Sequence, residues 1–92
     1  MQIETDGKGQ PYVEWEQPDC GWKRAWVRRA EGNKDWARTG RYINVARAEG
    51  PGHGPGGQGA DFPIYNDLPD AQVLHAFVHA VCAATSCKLK DN

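Results

Sequence analysis

The sequence predicts an α+β domain: a four-stranded antiparallel sheet in the order β-β-β-β-α, with the single C-terminal helix packed on one face. Two segments in the first half alternate apolar and polar residues, which is typical of half-buried strands. Turn residues separate these segments, and apolar residues recur at helical spacing only near the C-terminus. A chain of 92 residues is long enough for one such domain and one modest core.

The first two strands follow from alternation. In residues 11–17, Val13 and Trp15 share one side of the predicted strand. Residues 18–21, Pro-Asp-Cys-Gly, have turn chemistry because proline presets φ and glycine accepts positive φ. The second strand is predicted over 22–30, and residues 31–35 form the next turn.

The third and fourth strands flank a glycine-rich stretch. The third is predicted over 36–48, with Gly40 marking a bulge or a bend. Residues 50–59 contain six glycines, and this composition predicts a mobile loop. A short fourth strand is expected over 61–65, at a sheet edge because it contains Pro63.

The helix is predicted from Asp67 to about residues 85–87, with Asp67 as the N-cap and Pro69 in the first turn. Its apolar stripe consists of Val73, Leu74, Phe77, Val78, Val81 and Ala84. These elements divide the chain into a flexible segment at residues 1–10, one β4α domain at 11–87 and a tail at 88–92. One helix covers one side of the sheet, so the other side faces water or a partner.

The second predicted strand carries the strongest functional signal. One side alternates aromatic rings and cations: Trp22, Arg24, Trp26 and Arg28. The other side can meet a core through Ala25 and Val27. Such interleaving suits stacked bases and phosphates. Two alternatives to this interpretation are that a tryptophan of this strand faces the core, or that the arginines are scattered over the surface of a solvated hairpin.

Charge is unevenly distributed although the net charge is only −1. Residues 22–47 hold eight Lys or Arg against two acids, whereas the segments on either side are net acidic. Such confinement is expected of a binding face. Glu14 and Glu16 oppose that interpretation unless they pair with the arginines across the strands.

Three parts of the chain resemble the transcriptional-coactivator and whirly class of single-strand-binding domains, in particular its small bacterial members. They are residues 22–30, residues 40–47 (Gly-Arg-Tyr-Ile-Asn-Val-Ala-Arg) and residues 59–71 leading into the helix. The resemblance, which spans about residues 11–86, implies a four-stranded sheet with one helix, dimerisation through the helix and the adjoining strands, and single strands laid across the sheets. By position it implies contacts from Lys23, Arg24, Trp26, Arg28, Arg41 and Arg47.

The function predicted from the sequence is sequence-tolerant binding of single-stranded DNA or RNA, by a homodimer that associates through its helix. The predicted binding residues are Trp22, Lys23, Arg24, Trp26, Arg28, Arg38, Arg41, Tyr42 and Arg47. An alternative is a small phage- or prophage-encoded inhibitor, of the anti-defence or anti-host type, that binds a protein partner; Tyr, Trp and Arg are also enriched at protein hot spots.

No catalytic residues and no cofactor are predicted, because no Ser-His-Asp or Cys-His arrangement stands out. His75, His79 and Cys82 lie at i, i+4 and i+7 and are weak candidates for a zinc site, with His53 as a fourth ligand; histidines at a core boundary or dimer seam are the alternative. No apolar run reaches the roughly 20 residues that span a bilayer. A cytoplasmic chain with reduced thiols is therefore expected.

Overall fold

The fold consists of an antiparallel sheet and one helix, as seen in a computed structural model that describes residues 2–18, 21–32, 36–47 and 59–89. The elements are β1 (Glu4–Thr5), β2 (Pro11–Gln17), β3 (Gly21–Arg29), β4 (Arg41–Arg47), β5 (Ala60–Pro63), α1 (Asp70–Thr85) and β6 (Lys88–Leu89). The strands β1 to β5 lie side by side in chain order, and β6 pairs with β2. The predicted α+β class is confirmed, with additional short strands at both ends of the described chain.

The core lies between α1 and one side of the sheet. Strand residues Val13, Trp15, Ala25, Val27 and Ile43 meet helix residues Val73, Leu74 and Val78, all of them buried. The helix packs chiefly over β2 and β3. Phe77 and Val81 are only half-buried and Ala84 is exposed, so the predicted helical stripe is correct at its centre and less buried at its margin.

Two predicted boundaries are wrong for identifiable reasons. The third strand begins at Arg41 rather than residue 36, because residues 37–40 form a turn in which the Gly40 N–H donates to the Ala37 carbonyl at 2.8 Å. Gly40 has φ +77°, a conformation that favours glycine. The fourth strand covers Ala60–Pro63 rather than 61–65. The predicted glycine loop falls mostly on residues 48–58, which lie outside the described residues.

The helix begins two residues later than predicted, with its N-cap at Pro69 rather than Asp67. Pro69 precedes its first residue, and no side chain caps it, so Asp67 is not the N-cap. Asp70 instead accepts hydrogen bonds from Arg41 at 2.7 Å and from Arg29 at 3.0 Å. This carboxylate therefore ties the first turn of α1 to β3 and β4. The helix ends as predicted, with Ser86 in the left-handed conformation at its C-cap.

The segments outside the predicted domain also contribute strands. Glu4 and Thr5 pair with Tyr12 and Pro11, and Lys88 and Leu89 pair with Glu16 and Trp15. Cys82 and Cys87 are joined in a disulfide, contrary to the expected reduced thiols, because the turn at Ser86 brings their Cα atoms to 4.6 Å. No helix among the described residues is long and apolar enough to span a membrane.

We expect Asp70→Asn to lower the free energy of unfolding at pH 7 by about 1–2 kcal/mol, because two charge-assisted hydrogen bonds are weakened. Burial by itself raises the pKa of Asp70, but the hydrogen bonds and charges of Arg29 and Arg41 outweigh it and hold that pKa below its usual value. A lowered carboxyl pKa stabilises the fold above the ordinary pKa and loses that contribution as pH falls.

Urea unfolding from pH 7 down to pH 3 measures this effect. The difference between the wild type and Asp70→Asn should shrink as the pH falls through the lowered pKa of Asp70. Asp67→Asn, at an exposed carboxylate three residues earlier, is the control and should change stability little at any pH. Equal effects of the two substitutions would contradict the role assigned to Asp70.

Candidate binding surface

Strand register separates the side chains of the sheet into two sides. Tyr12 lies opposite Trp26, Glu14 opposite Arg24, and Glu16 opposite Trp22. Across the next pair of strands, Arg28 lies opposite Tyr42. These side chains form the side that α1 does not cover, which we call the open face; the opposite side is the helix side.

The predicted binding residues do not lie on one surface. The open face holds Trp22, Arg24, Trp26, Arg28 and Tyr42. The helix side holds Lys23, Arg41 and Arg47, with Lys23 opposite Arg47 in register. Arg38 is exposed in the turn before β4. The cationic segment seen in the sequence is therefore divided between the two sides of the sheet.

A buried ion pair lies at the centre of the open face. Glu14, only 4% exposed, accepts a hydrogen bond from Arg24 Nε at 2.6 Å. The guanidinium carbon of Arg24 lies 4.8 Å from the centre of the Tyr12 ring, in cation–π contact. Of the two acids that opposed a cationic binding face unless they paired across the strands, Glu14 pairs with Arg24, whereas Glu16 lies opposite Trp22 and is exposed. The Arg24 guanidinium is thus held by both the Glu14 carboxylate and the Tyr12 ring.

Tyr12 closes this cluster toward the edge of the sheet. Burial raises the pKa of its phenol, and hydrogen bonding to the neighbouring Glu4 carboxylate raises it further. The phenol therefore stays protonated and can donate to Glu4 throughout the physiological range.

Trp26 is a second ring covered by an arginine, as Tyr12 is by Arg24. Trp26 is 8% exposed, and the Arg28 guanidinium carbon lies 4.5 Å from the centre of its ring. Arg28 donates from Nε to Asn44 Oδ1 at 3.0 Å and from Nη1 to Gln10 Oε1. The guanidinium is therefore held over the indole by polar groups from two other segments.

The turn between β1 and β2 packs near the same indole. Asp6 Oδ1 accepts the backbone N–H groups of Lys8 and Gln10, each at 2.9 Å. Those hydrogen bonds lower the pKa of Asp6 despite partial desolvation, helped by the charge of Arg28 and by the indole N–H of Trp26. Trp26 Nε1 is buried and makes no hydrogen bond of ordinary geometry. Sequence reasoning missed this turn, whose only signal is the Asp6-Gly-Lys-Gly9 pattern.

Trp36 provides an accessible ring on the open face. It contacts Tyr42 edge-on, with ring centres 5.4 Å apart. Tyr42 is 8% exposed, whereas Trp36 is 41% exposed. Of these two rings, only Trp36 therefore offers much area to a partner.

The two sides of the sheet differ in charge. The open face has Arg24 and Arg28 against carboxylates at Glu4, Glu14, Glu16 and Asp61. Among the described strand positions of the helix side there are four cations and no carboxylate: Lys23, Arg29, Arg41 and Arg47. Among the described strand positions, the open face is therefore the more acidic side of the sheet.

The predicted metal ligands do not form a site. His75 and His79 lie in ring contact with centres 4.3 Å apart on the exposed surface of α1, and Cys82 is bonded to Cys87. Within residues 2–18, 21–32, 36–47 and 59–89, no three His, Cys, Asp or Glu side chains are grouped to hold a metal ion. The proposed fourth ligand, His53, lies outside the described residues.

Comparisons of the chain with models of protein families, with curated proteins and with solved structures found no match. The resemblance to coactivator and whirly domains therefore stays a prediction, and function must be argued from the surfaces themselves.

Trp26→Ala should destabilise the fold by about 3 kcal/mol or more, because it empties a nearly buried site of a large ring. Trp36→Ala, on the same face, should cost roughly 1 kcal/mol or less, because that ring is largely exposed. Urea unfolding monitored by circular dichroism measures both. Similar losses for the two variants would mean that Trp26 is not part of the packed structure.

Proposed function

We propose that this chain is a small binding protein whose open face docks onto a protein partner. The observation that supports it best is that Arg24 and Arg28 are already held over Tyr12 and Trp26 by Glu14, Asn44 and Gln10. The aromatic layer is thereby ordered before any partner arrives.

The residue types of the open face and the fixed positions of its arginine side chains both suit a protein interface. Tyr, Trp and Arg are the residues most enriched at hot spots, and immobilising long side chains in advance reduces the entropic cost of association. The exposed ring of Trp36 would be an anchor, and the carboxylates of Glu16 and Asp61 would form a polar rim. A partner with basic groups around an apolar depression would be complementary to such a face.

An inhibitor is one form that this function can take. A short chain with a preordered face can block a larger protein by covering its working surface, without chemistry of its own. The phage- or prophage-encoded, anti-defence or anti-host role predicted from the sequence belongs to this proposal, as does a cytoplasmic location.

Single-stranded nucleic acid is the second candidate. It is supported by the cations of the helix side, where Lys23 lies opposite Arg47 in register. Stacking on Tyr12 or Trp26 is less favourable, because a base would have to displace Arg24 from Tyr12 or Arg28 from Trp26. Stacking is worth about 1–3 kcal/mol per base, and that gain would be offset by the lost hydrogen bonds and cation–π contacts.

Fluorescence anisotropy with a labelled mixed-sequence single-stranded oligonucleotide separates the two functions. We expect no tight binding at physiological salt. Tight binding that weakens with salt, with a log–log slope of roughly −0.7 per phosphate neutralised, would overturn the protein-docking proposal. In that case Arg47→Glu should weaken binding if the helix side is used, and Glu16→Lys should strengthen it if the open face is used.

Affinity capture from a nuclease-treated lysate tests the protein interface. Trp36→Ala and Glu16→Lys should each reduce recovery of a specific partner at least several-fold, whereas Arg47→Glu on the opposite side should leave it unchanged. A partner lost with Arg47→Glu but retained by both open-face variants would contradict docking through the open face.

We also propose that two copies associate through α1. The eight exposed positions of this helix carry no Asp, Glu, Lys or Arg: Ala71, Gln72, His75, Ala76, His79, Ala80, Ala83 and Ala84. A solvated helical face ordinarily carries charge, and small residues allow two helices to approach closely.

Sedimentation velocity measures this association. The wild type should sediment at twice the chain mass, and Ala80→Glu should sediment as a monomer because it places a charge at the middle of the contact. Lys8→Glu, exposed in the turn before β2, is the control and should not change the mass. A monomeric wild type at micromolar concentration would rule this association out.

A further inference from the structure

Within the part of the chain that the structure describes, short segments pair with the outer edge of β2. β1 pairs with it at Pro11 and Tyr12, and β6 pairs with it at Trp15 and Glu16. A strand of two residues contributes few hydrogen bonds and is marginal by itself. Among the described residues, two short segments therefore close the edge of this seven-residue strand.

The Cys82–Cys87 disulfide anchors β6. Cys82 lies in the last turns of α1, and Cys87 immediately precedes Lys88, the first residue of β6. Both cysteines pack against the core cluster that contains Trp15. With the bond intact, the chain enters β6 from a point fixed to the helix end.

The thiol form lacks that anchor. The residues after the helix then regain conformational freedom, and the two β2–β6 pairs in the described part of the chain oppose the entropy of ordering them. Loss of β6 would leave the backbone of β2 at Trp15 and Glu16 without its neighbour, beside an otherwise intact sheet. An exposed sheet edge of this kind is a template for strand addition.

We propose that the β2 edge at Trp15–Glu16 is a redox-controlled docking site for an extended strand of a protein partner, closed by β6 in the disulfide form and open in the thiol form. This inference concerns an edge of the sheet and does not rest on the open-face function.

The register of β6 indicates the partner's chemistry. Leu89 pairs with Trp15, whose side chain packs into the core, and Lys88 pairs with Glu16, whose side chain is exposed on the open face. A strand with an apolar residue at the first position and a basic one at the second would reproduce this pairing and complement the exposed Glu16 carboxylate. The fitting partner is thus a segment that alternates Lys or Arg with aliphatic residues.

The switch is an ordinary thiol–disulfide exchange with glutathione disulfide as the oxidant. One cysteine thiolate attacks glutathione disulfide, forms a mixed disulfide and releases one glutathione thiolate. The second cysteine thiolate then attacks the protein sulfur of the mixed disulfide and releases the second. The two protein thiols lose two protons, which the two glutathione thiolates take up, so one disulfide replaces another.

Amide hydrogen exchange of the full chain carrying Cys20→Ser, in which only the Cys82–Cys87 pair can change state, tests the latch. On reduction with dithiothreitol, exchange should accelerate at least tenfold at two amides: the one of Lys88 and Leu89 that points toward β2, and the one of Trp15 and Glu16 that points toward β6. Exchange in β3 and β4 should not change. The added substitution Cys87→Ser should give the fast pattern with or without reductant. Unchanged exchange, or acceleration spread over every strand, would overturn the latch.

A seven-residue peptide that alternates Lys with Val and Leu tests the docking step. Followed by ¹⁵N–¹H spectra, it should shift the amide signals of Trp15 and Glu16 in the reduced protein and not in the oxidised one. A peptide with Glu at the Lys positions is the control and should shift neither. Equal shifts in both redox states, or no shift in the reduced state, would refute the proposed docking site.

Discussion

A single helix covers one side of the six-stranded sheet, and the rest of the structure depends on how the aromatic rings of the uncovered side are shielded from water. Tyr12, Trp26 and Tyr42 lie on the open face, where no second layer of secondary structure excludes water among the described residues. Trp26 and Tyr42 are nevertheless only 8% exposed. Arg24 lies over Tyr12 and Arg28 lies over Trp26, and their N–H groups donate to Glu14, Asn44 and Gln10. Tyr42 instead packs against the Trp36 ring.

This arrangement ties distant segments to one another. Arg28 joins the turn before β2, through Gln10, to β4, through Asn44. On the opposite side of the sheet, Asp70 joins the start of the helix to β3 and β4 through Arg29 and Arg41. The arginines whose clustering in the sequence predicts a nucleic-acid-binding face thus donate many of their hydrogen bonds to acceptors within the protein. That use favours a protein surface over a phosphate-binding one on the open face.

The sequence alone was sufficient to predict which strand residues share a side of the sheet. Side chains alternate between the two sides along a strand, and this alternation does not depend on which strands lie next to it. Alternation correctly grouped Trp22, Arg24, Trp26 and Arg28, and helical spacing identified the buried Val73, Leu74 and Val78. Burial within the open face was not predictable in the same way. The Trp26 ring is covered because Arg28 is held over it by hydrogen bonds to Gln10 and Asn44. These three residues belong to separate segments, and no spacing in the sequence indicates that they come into contact. The helix start was missed for a similar reason, since Asp70 serves two arginines from the sheet while Asp67 makes no cap.

Glu16 belongs both to the open face and to the edge that β6 closes, so the two surfaces are contiguous. A partner would bind to them in different ways. The open face is ordered before binding, so association there should be limited by encounter and orientation. The β2 edge is occupied, so a strand can enter only after β6 leaves, and the population of the open form limits its apparent affinity. A partner that uses both surfaces would therefore bind the thiol form more tightly than the disulfide form while contacting the same aromatic layer in each. Redox state would then alter affinity without any change in the face that selects the partner.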